Sequence, residues 1–362
     1  FGECNMEVKK TPLYENHVKH GGKIVEFAGY LLPVQYEAGI IAEHNAVRNN
    51  VGMFDVSHMG EFIIEGKDAM KCVNNLVSND IAPMTDGHVR YTLMLNENGG
   101  VVDDLLVYRM SETKFLLVVN ASNCDKDAAW IEAHMIGECV FRNIADKVGQ
   151  VALQGPNSQK VLEKLTKDIP EKYYTFVTGK IAGKDALISQ TGYTGEFGFE
   201  IYTKAEDISD VFEAIVEAGK EFELQLCGLG CRDTLRFEAC LPLYGHELNE
   251  DYRANELALG MFVKMDKENF IGKQALLDNA PKFKRKGVKL IDKGIAREHC
   301  VVYDGDREIG FVTTGTKSPT LGCAIAMVRI AKDFEGETVD IDVRGKRLKA
   351  EIVKMPFYKS TK

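Results

Sequence analysis

Between Glu61 and Arg142 the apolar pattern changes from a two-residue to a helical period and back, twice over, and no other stretch limits the fold of this chain as strongly. The spacing predicts a strand over Glu61–Glu65, a helix over Lys67–Ser78 and a strand over Val89–Leu95. After the turn Glu97-Asn98-Gly99-Gly100 come paired strands over Val101–Arg109 and Lys114–Asn120, a helix over Cys124–His134 and a short strand over Cys139–Arg142. That order is a split β-α-β unit on an antiparallel sheet. The chain has 362 residues, beyond the size at which one core usually stops growing, so the unit reads as an inserted subdomain.

On its N-terminal side, Thr11-Pro12 predicts a helix start, with Thr11 as cap, and Gly21-Gly22 its stop. A second helix is expected over 38–50, with Ile40, His44 and Val47 on one face. On the C-terminal side, Gln154-Gly155-Pro156-Asn157 turns into a helix carrying Val161, Leu162 and Leu165. The clearest helix is Asp207–Lys220, with Ile208, Val211, Phe212, Ile215 and Val216 on its inner face. Beyond Pro281 the runs become short and alternating, at Gly310–Thr314, Val339–Val343 and Leu348–Val353, which suggests a small barrel or sandwich. The fold class expected is α+β, with residues 6–60 and 143–280 as a first domain, 61–142 inserted and 281–362 as a C-terminal β-barrel. The basic run Lys282–Lys286 reads as a solvated linker face in preference to a phosphate-binding patch.

Charge and composition exclude several classes of function. A net charge of −9 argues against duplex nucleic acid as main partner, because phosphate neutralisation needs a basic face. Apolar runs such as Phe115–Val119 are far short of the roughly 20 residues of a bilayer span, so a soluble protein with no membrane partner is expected. Nine scattered cysteines, without a C-x-x-C pair, read as reduced thiols in a cytosol-like compartment. The first five residues lack the Arg-rich character of a transit peptide, and no targeting segment is visible. The phosphate-loop, dinucleotide, nucleophile-elbow and zinc-protease motifs do not occur, so nucleotide chemistry and triad hydrolysis have no support.

Four places carry polar chemistry. Cys227 and Cys231 stand at helical ligand spacing, but no second pair accompanies them and small buried side chains are the preferred reading, with no metal expected. His58 is a candidate general base, although a lone His beside an apolar stretch is more often structural. Asp103-Asp104 follows the Gly99-Gly100 turn; adjacent strand residues face opposite ways, so at most one carboxylate is expected to face the core. The pair is either two solvated acids at a turn or a single carboxylate tuned by an apolar surround, and both readings stand at this point. In Arg232-Asp233-Thr-Leu-Arg236-Phe-Glu238 the charges sit at helical spacing, which favours a self-satisfied network with Arg232 paired three or four positions away over a ligand clamp.

Taken together, several blocks closely resemble the aminomethyltransferase family, the T-protein of the glycine cleavage system: Thr11-Pro-Leu-Tyr14, Phe27-Ala-Gly-Tyr30, Gly52-Met-Phe-Asp-Val-Ser-His-Met-Gly60, Asn96-Glu-Asn-Gly-Gly-Val-Val-Asp-Asp104, Thr191-Gly-Tyr-Thr-Gly-Glu196, Gly228-Leu-Gly-Cys-Arg-Asp233, Leu243-Tyr-Gly-His-Glu247 and Ser318-Pro-Thr-Leu-Gly322. They run in one order along essentially the whole chain. The resemblance implies a three-domain cloverleaf around a central folate channel, with a ferredoxin-like middle domain and a C-terminal barrel. It implies transfer of an aminomethyl carbon from the dihydrolipoyl arm of H-protein to tetrahydrofolate, with release of ammonia and 5,10-methylenetetrahydrofolate. Tetrahydrofolate is then a co-substrate, lipoylated H-protein the partner, and neither metal nor nucleotide is needed. The bacterial cytoplasm is the expected setting, ahead of a mitochondrial matrix.

By the same resemblance Asp104 is the key carboxylate, near the folate arylamine nitrogen, and Glu200 binds the pterin edge. Arg232 and Tyr358 match ligand-contacting positions, and Met59, Tyr91, Val118, Asn120, Tyr173 and Tyr193 match channel-lining ones. The sequence departs from the family at Met261 and Tyr30, where Trp is usual, at Gln190 and Phe197, and at Arg253-Ala254. Relatives on this scaffold include a folate-dependent demethylase and a non-catalytic folate-binding helper. The helper's Lys-Gly-Cys-Tyr-x-Gly-Gln signature does not occur in this chain.

Overall fold

The computed structural model describes residues 8–361, so Cys4 and the start of the first expected domain lie outside the described residues. Alternation and turn chemistry resolve into four sheets. The expected split β-α-β unit forms a five-stranded antiparallel sheet in the order Val89–Leu95, Val101–Ser111, Lys114–Val119, Gly60–Glu65 and Val140–Asn143. The first strand is an addition to the four of a ferredoxin-like order. Helices Ala69–Leu76 and Cys124–Ala133 supply Cys72, Val73, Leu76 and Ile131 to one face, against Phe62, Ile64, Phe115 and Leu117.

The other face of this sheet, with Ile63, Tyr108, Leu116 and Val118, packs on Phe176, Leu187 and Tyr202 of a six-stranded sheet. That sheet runs Phe176–Ile181, Lys184–Ser189, Gly198–Lys204, Val148–Gln154, Gly52–Asp55 and Gln225–Cys227, the last pair parallel. Its far side buries Val151, Leu153, Phe199 and Ile201 under helix Ile208–Gly219, whose inner residues are those the periodicity predicts. A small three-stranded sheet, Lys9–Lys10, Tyr30–Gln35 and Lys23–Phe27, lies near the N-terminus.

From Phe283 the chain closes a six-stranded barrel: Phe283–Leu290, Ala324–Ala331, Arg307–Lys317, Val301–Asp304, Thr338–Val343 and Lys346–Val353. Pairing of Gly287 with Val353 and of Val288 with Ile352 shuts it. Val288, Val302, Val312, Val328, Ile330 and Ile341 fill the interior. The fold class is therefore α+β with a C-terminal barrel, as the sequence predicts.

Two local expectations fail. The helix expected from Thr11 begins later, at Tyr14–Lys19; the Thr11 hydroxyl donates to Asp55 Oδ2 at 2.6 Å and accepts from Leu13 N–H at 3.3 Å in the turn that precedes it. The Lys282–Lys286 run is not a linker: Phe283–Leu290 is a barrel strand, and Arg285 is buried and donates to Cys240 O at 3.3 Å. Charge hid a strand that the barrel pairs on both sides.

Charged groups fasten the barrel to the body. Arg236 pairs with Glu247 at 2.9 Å, and Glu247 also accepts from Thr313 at 2.7 Å and from the Thr314 hydroxyl. Arg48 donates to Glu238 at 2.9 Å, and Ser318 and Thr320 on the barrel donate to the same carboxylate. Burial pushes Glu238 up, but hydrogen bonds from His44, Ser318 and Thr320 bring it down to about 2. Among the described residues no helix is long and apolar enough to cross a membrane.

Candidate active site

The strand Val101–Ser111 carries both aspartates, and the chain leaving Lys114–Val119 places Asn120 between them. Asn120 Nδ2 donates to Asp103 Oδ1 and to Asp104 Oδ1, each at 2.7 Å. Asp103 is fully buried and also accepts from Asn123 Nδ2 at 2.7 Å and from the Asn120 backbone N–H at 3.0 Å. Asp104 is half-buried, and Tyr91 O–H donates to its Oδ2 at 2.9 Å. Neither aspartate is the solvated turn acid of the bland reading. The interior takes Asp103 because three N–H donors meet it, which alternation alone does not foresee.

Burial, and then the Asp103 carboxylate, raise Asp104 to about 7, against the hydrogen bonds from Tyr91 and Asn120. A carboxyl balanced near neutrality can take or hold a proton at little cost. Asp127, on helix Cys124–Ala133, completes the acidic cluster: burial and Asp103 raise it to about 11, so it is a neutral acid. Sequence reasoning missed Asp127. Its signal was an acid one helical turn from buried Ile131, on the helix's apolar face.

A second group assembles around Tyr193. Tyr193 O–H reaches Pro242 O at 2.5 Å, and the Arg232 guanidinium lies 4.6 Å from its ring centre. Asp104 and Arg232 both act electrostatically on the Tyr193 hydroxyl, and Arg232 acts on Glu200. Among the described residues no carboxylate lies within ion-pair distance of Arg232. The network expected for it belongs to Arg236, which pairs with Asp233 at 2.8 Å and with Glu247. Arg232 and Arg236 share one face of helix Leu229–Glu238, and the ion pairs with Asp233 and with Glu247 from the following loop tell them apart. Tyr193, Arg232 and Arg236 line a cavity of about 620 Å3, with His246, Arg297 and His299 across it. That volume suits a small-molecule ligand.

Glu200 accepts from the Thr191 hydroxyl and, at 3.3 Å, from Gln150 Nε2. Burial raises its pKa, while Thr191 and Arg232 pull it back. The structure thus links Asp104, Tyr91, Asn120, Tyr193, Arg232 and Glu200. Met59 and Val118 belong to apolar clusters, Val118 in the packing between the two sheets and Met59 against it. Of the other two expected residues, one lies within electrostatic reach of Glu200 and one lies apart. Tyr173 is 61% exposed, edge-on to Tyr174 at 4.5 Å. Tyr358 donates to Glu196 at 2.7 Å and stacks on Arg48 at 4.1 Å, at the junction with the barrel.

His58 is buried between Phe27 and Tyr30, and its Nδ1 has no partner among the described residues. Burial, helped by Arg232, lowers it to about 4, so the ring is neutral. Cys227 and Cys231 do acquire a third potential ligand, Glu43, with the three donor atoms within 4.8 Å. Both Glu43 oxygens already accept backbone N–H groups, from Tyr36 and from Gly228, and Cys231 Sγ donates to Gly228 O at 3.5 Å. These contacts favour the packing reading. Met261, at a position where the family has Trp, is 70% exposed.

Comparison with known proteins gives the class first. Residues 13–267 match the family described as the GCVT N-terminal domain, and residues 284–359 match the glycine cleavage T-protein C-terminal barrel domain. Curated relatives called aminomethyltransferase include one from Anoxybacillus flavithermus, 49% identical over 98% of this chain and 100% of its own, and one from Halalkalibacterium halodurans, 48% identical over 98% and 99%. A crystal structure of the glycine cleavage system aminomethyltransferase T from Bartonella henselae superposes with a TM-score of 0.90 at 32% identity, covering 97% of this chain and 98% of that one. The chain belongs to the aminomethyltransferase family, the T-proteins of the glycine cleavage system.

Proposed function

We propose that this chain passes the methylene carbon of an aminomethyl group, carried on the dihydrolipoyl arm of an H-protein, to tetrahydrofolate, giving 5,10-methylenetetrahydrofolate and ammonia. The observation that carries this reading is Asp104: a carboxyl balanced at about 7, oriented by Tyr91 and Asn120, within electrostatic reach of the Tyr193 hydroxyl that Arg232 covers. We assign residues 8–60 with 143–280, 61–142 and 281–361 as the three units that enclose the folate.

The residues fit such a ligand. Glu200 is a half-buried carboxylate suited to the paired N–H edge of a pterin, and Arg232 is a half-buried cation with no carboxylate partner of its own among the described residues. Tyr193 and Tyr91 offer ring faces at the same place. Folate supplies the nucleophilic nitrogens, so the protein needs few reacting side chains. Asp104 takes up the proton leaving the arylamine nitrogen and stabilises positive charge that develops beside it. Tyr91 and Asn120 hold its two oxygens apart and aimed. The apolar packing around Met59 and Val118 keeps bulk water from the transfer. Tyr173, on the rim, and Tyr358, fixed by Arg48 and Glu196, are assigned to the ligand's outer parts. The bacterial relatives support a cytoplasmic setting.

The test is Asp104→Asn. Tetrahydrofolate affinity should stay within about tenfold, 1.4 kcal/mol, while transfer from aminomethylated H-protein falls by orders of magnitude. Full transfer activity in that variant removes Asp104 from the role assigned here.

A further inference from the structure

Behind Glu200 lies a continuous row of hydroxyl groups that the reaction above does not use. Glu200 Oε2 accepts from Thr191 Oγ1; Thr191 Oγ1 lies 2.7 Å from Ser189 Oγ; Ser189 Oγ lies 3.1 Å from Tyr108 O–H; and Tyr108 O–H lies 2.8 Å from Tyr202 O–H. All four side chains are buried, Ser189 and Tyr108 completely. The row lies in the packed interface between the two sheets, with Ser189 and Tyr202 on the six-stranded sheet and Tyr108 on the five-stranded one. It ends at Tyr202, on the wall of a second cavity of about 740 Å3. Glu61 lines the same cavity, fully buried, with neither carboxyl oxygen partnered among the described residues.

Buried hydroxyls satisfy one another in many cores, and that alone would explain a cluster. Two features here go further. The connected hydroxyls join a carboxyl at one end to a cavity at the other, and each of the inner hydrogen bonds can run in either direction. We propose that Thr191, Ser189, Tyr108 and Tyr202 form a proton path through which Glu200 exchanges its proton with the second cavity while a folate covers it from the channel side. The proposal rests on the reading of Glu200 as the pterin-binding carboxylate.

The need follows from charge. Burial pulls Glu200 toward the neutral acid, whereas the N–H donors of a pterin favour the carboxylate, so binding lowers its hold on a proton and drives proton release. Once a ligand fills the channel, that proton leaves through the protein. The Glu200 O–H bond breaks as Thr191 Oγ1 gains the proton. The original Thr191 proton passes to Ser189, that of Ser189 to Tyr108, that of Tyr108 to Tyr202, and that of Tyr202 to water in the cavity. Every hydroxyl stays neutral, Glu200 ends as a carboxylate, and one proton has moved without any redox change. The titratable and charged groups that face Glu200 are Arg232, Tyr108, Tyr173, Tyr174 and Tyr202. Glu61 gives the released proton a further carboxyl to exchange with.

The experiment mixes the full-length protein rapidly with tetrahydrofolate in weakly buffered solution and follows proton release with a pH indicator, in the wild type, Tyr108→Phe and Ser189→Ala. The expected result is release in the wild type, slowed at least about tenfold in both variants, with the tetrahydrofolate Kd unchanged within about threefold. Release at the wild-type rate in both variants overturns the path and leaves the folate reading standing. Folate binding without any proton release in the wild type overturns it too. Absence of folate binding sinks the underlying reading instead. If either variant fails to fold, the wild type in mixed light and heavy water decides: several protons moving together give a curved dependence of the release rate on deuterium fraction, and a straight line refutes the path.

Discussion

Replacing Asp104 by Asn should make the protein more stable at mildly alkaline pH while removing its activity. The folded carboxyl binds its proton more tightly than the unfolded one, so wild-type stability falls as pH rises from the unfolded to the folded pKa and stays lowered above it. A rise from 3.8 to about 7, at about 1.36 kcal/mol per pKa unit, is roughly 4 kcal/mol. Asn removes that cost. Its Oδ1 accepts from Asn120, and its Nδ2 donates to Tyr91 O–H, which reverses its role, so both hydrogen bonds survive. Half-burial and the loss of charge-assisted bonding trim the net gain to about 1–3 kcal/mol. Urea unfolding of Asp104→Asn and wild type, compared around pH 8 and around pH 5, measures it: the variant should be the more stable at the higher pH, with the gap shrinking by roughly half or more at the lower. Parallel pH responses of the two proteins, or a variant less stable around pH 8, would refute the electrostatic account of Asp104.

Three further outcomes follow from the same geometry. Asp127→Asn, replacing an acid that burial keeps neutral, should retain transfer within about threefold and lose no stability near neutral pH, whereas Asp127→Ala should cost about 1–3 kcal/mol by leaving Asp103 without that neighbour; chemical denaturation and turnover together distinguish them. Arg236→Met leaves the buried Glu247 carboxylate, which Arg236 helps to hold below its usual range, without its cation, and should destabilise by about 3–5 kcal/mol, read as a lowered unfolding midpoint. Gly100→Ala places a methyl 1.7 Å from Glu250 O, where the turn before the aspartates pairs with Arg253, and should cost about 1–3 kcal/mol or more and lower transfer by displacing Asp104.

Much of the fold was legible because its signals are local. The five-stranded sheet follows from changes of period and from the Gly99-Gly100 turn, and Ile208–Gly219 from a clean apolar face. The barrel's Phe283–Leu290 strand was obscured because Lys284 and Lys286 flank buried Arg285, and a run of charge reads as solvent when its partner strands are unknown. The site was legible where one motif carries it. Asp104 stands in a marked turn-and-strand segment, but its tuning depends on Asn120, Tyr91 and Asp103 meeting at one point, which no linear spacing encodes. The network expected for Arg232 falls to Arg236 instead, in part because Glu247 comes from outside their helix. Glu43 joins Cys227 and Cys231 across more than 180 residues of chain. Glu61 shares a strand face with Ile63, and an acid at an inward-facing position was the one visible hint of the second cavity.

The most direct test of the central claim supplies the purified protein with tetrahydrofolate and aminomethylated H-protein and measures ammonia. The account predicts one ammonia and one 5,10-methylenetetrahydrofolate for each aminomethyl group consumed, dependent on both carriers and lost in Asp104→Asn. Tight binding of tetrahydrofolate with no ammonia released would contradict it and would mark the chain as a folate-binding helper rather than a transferase.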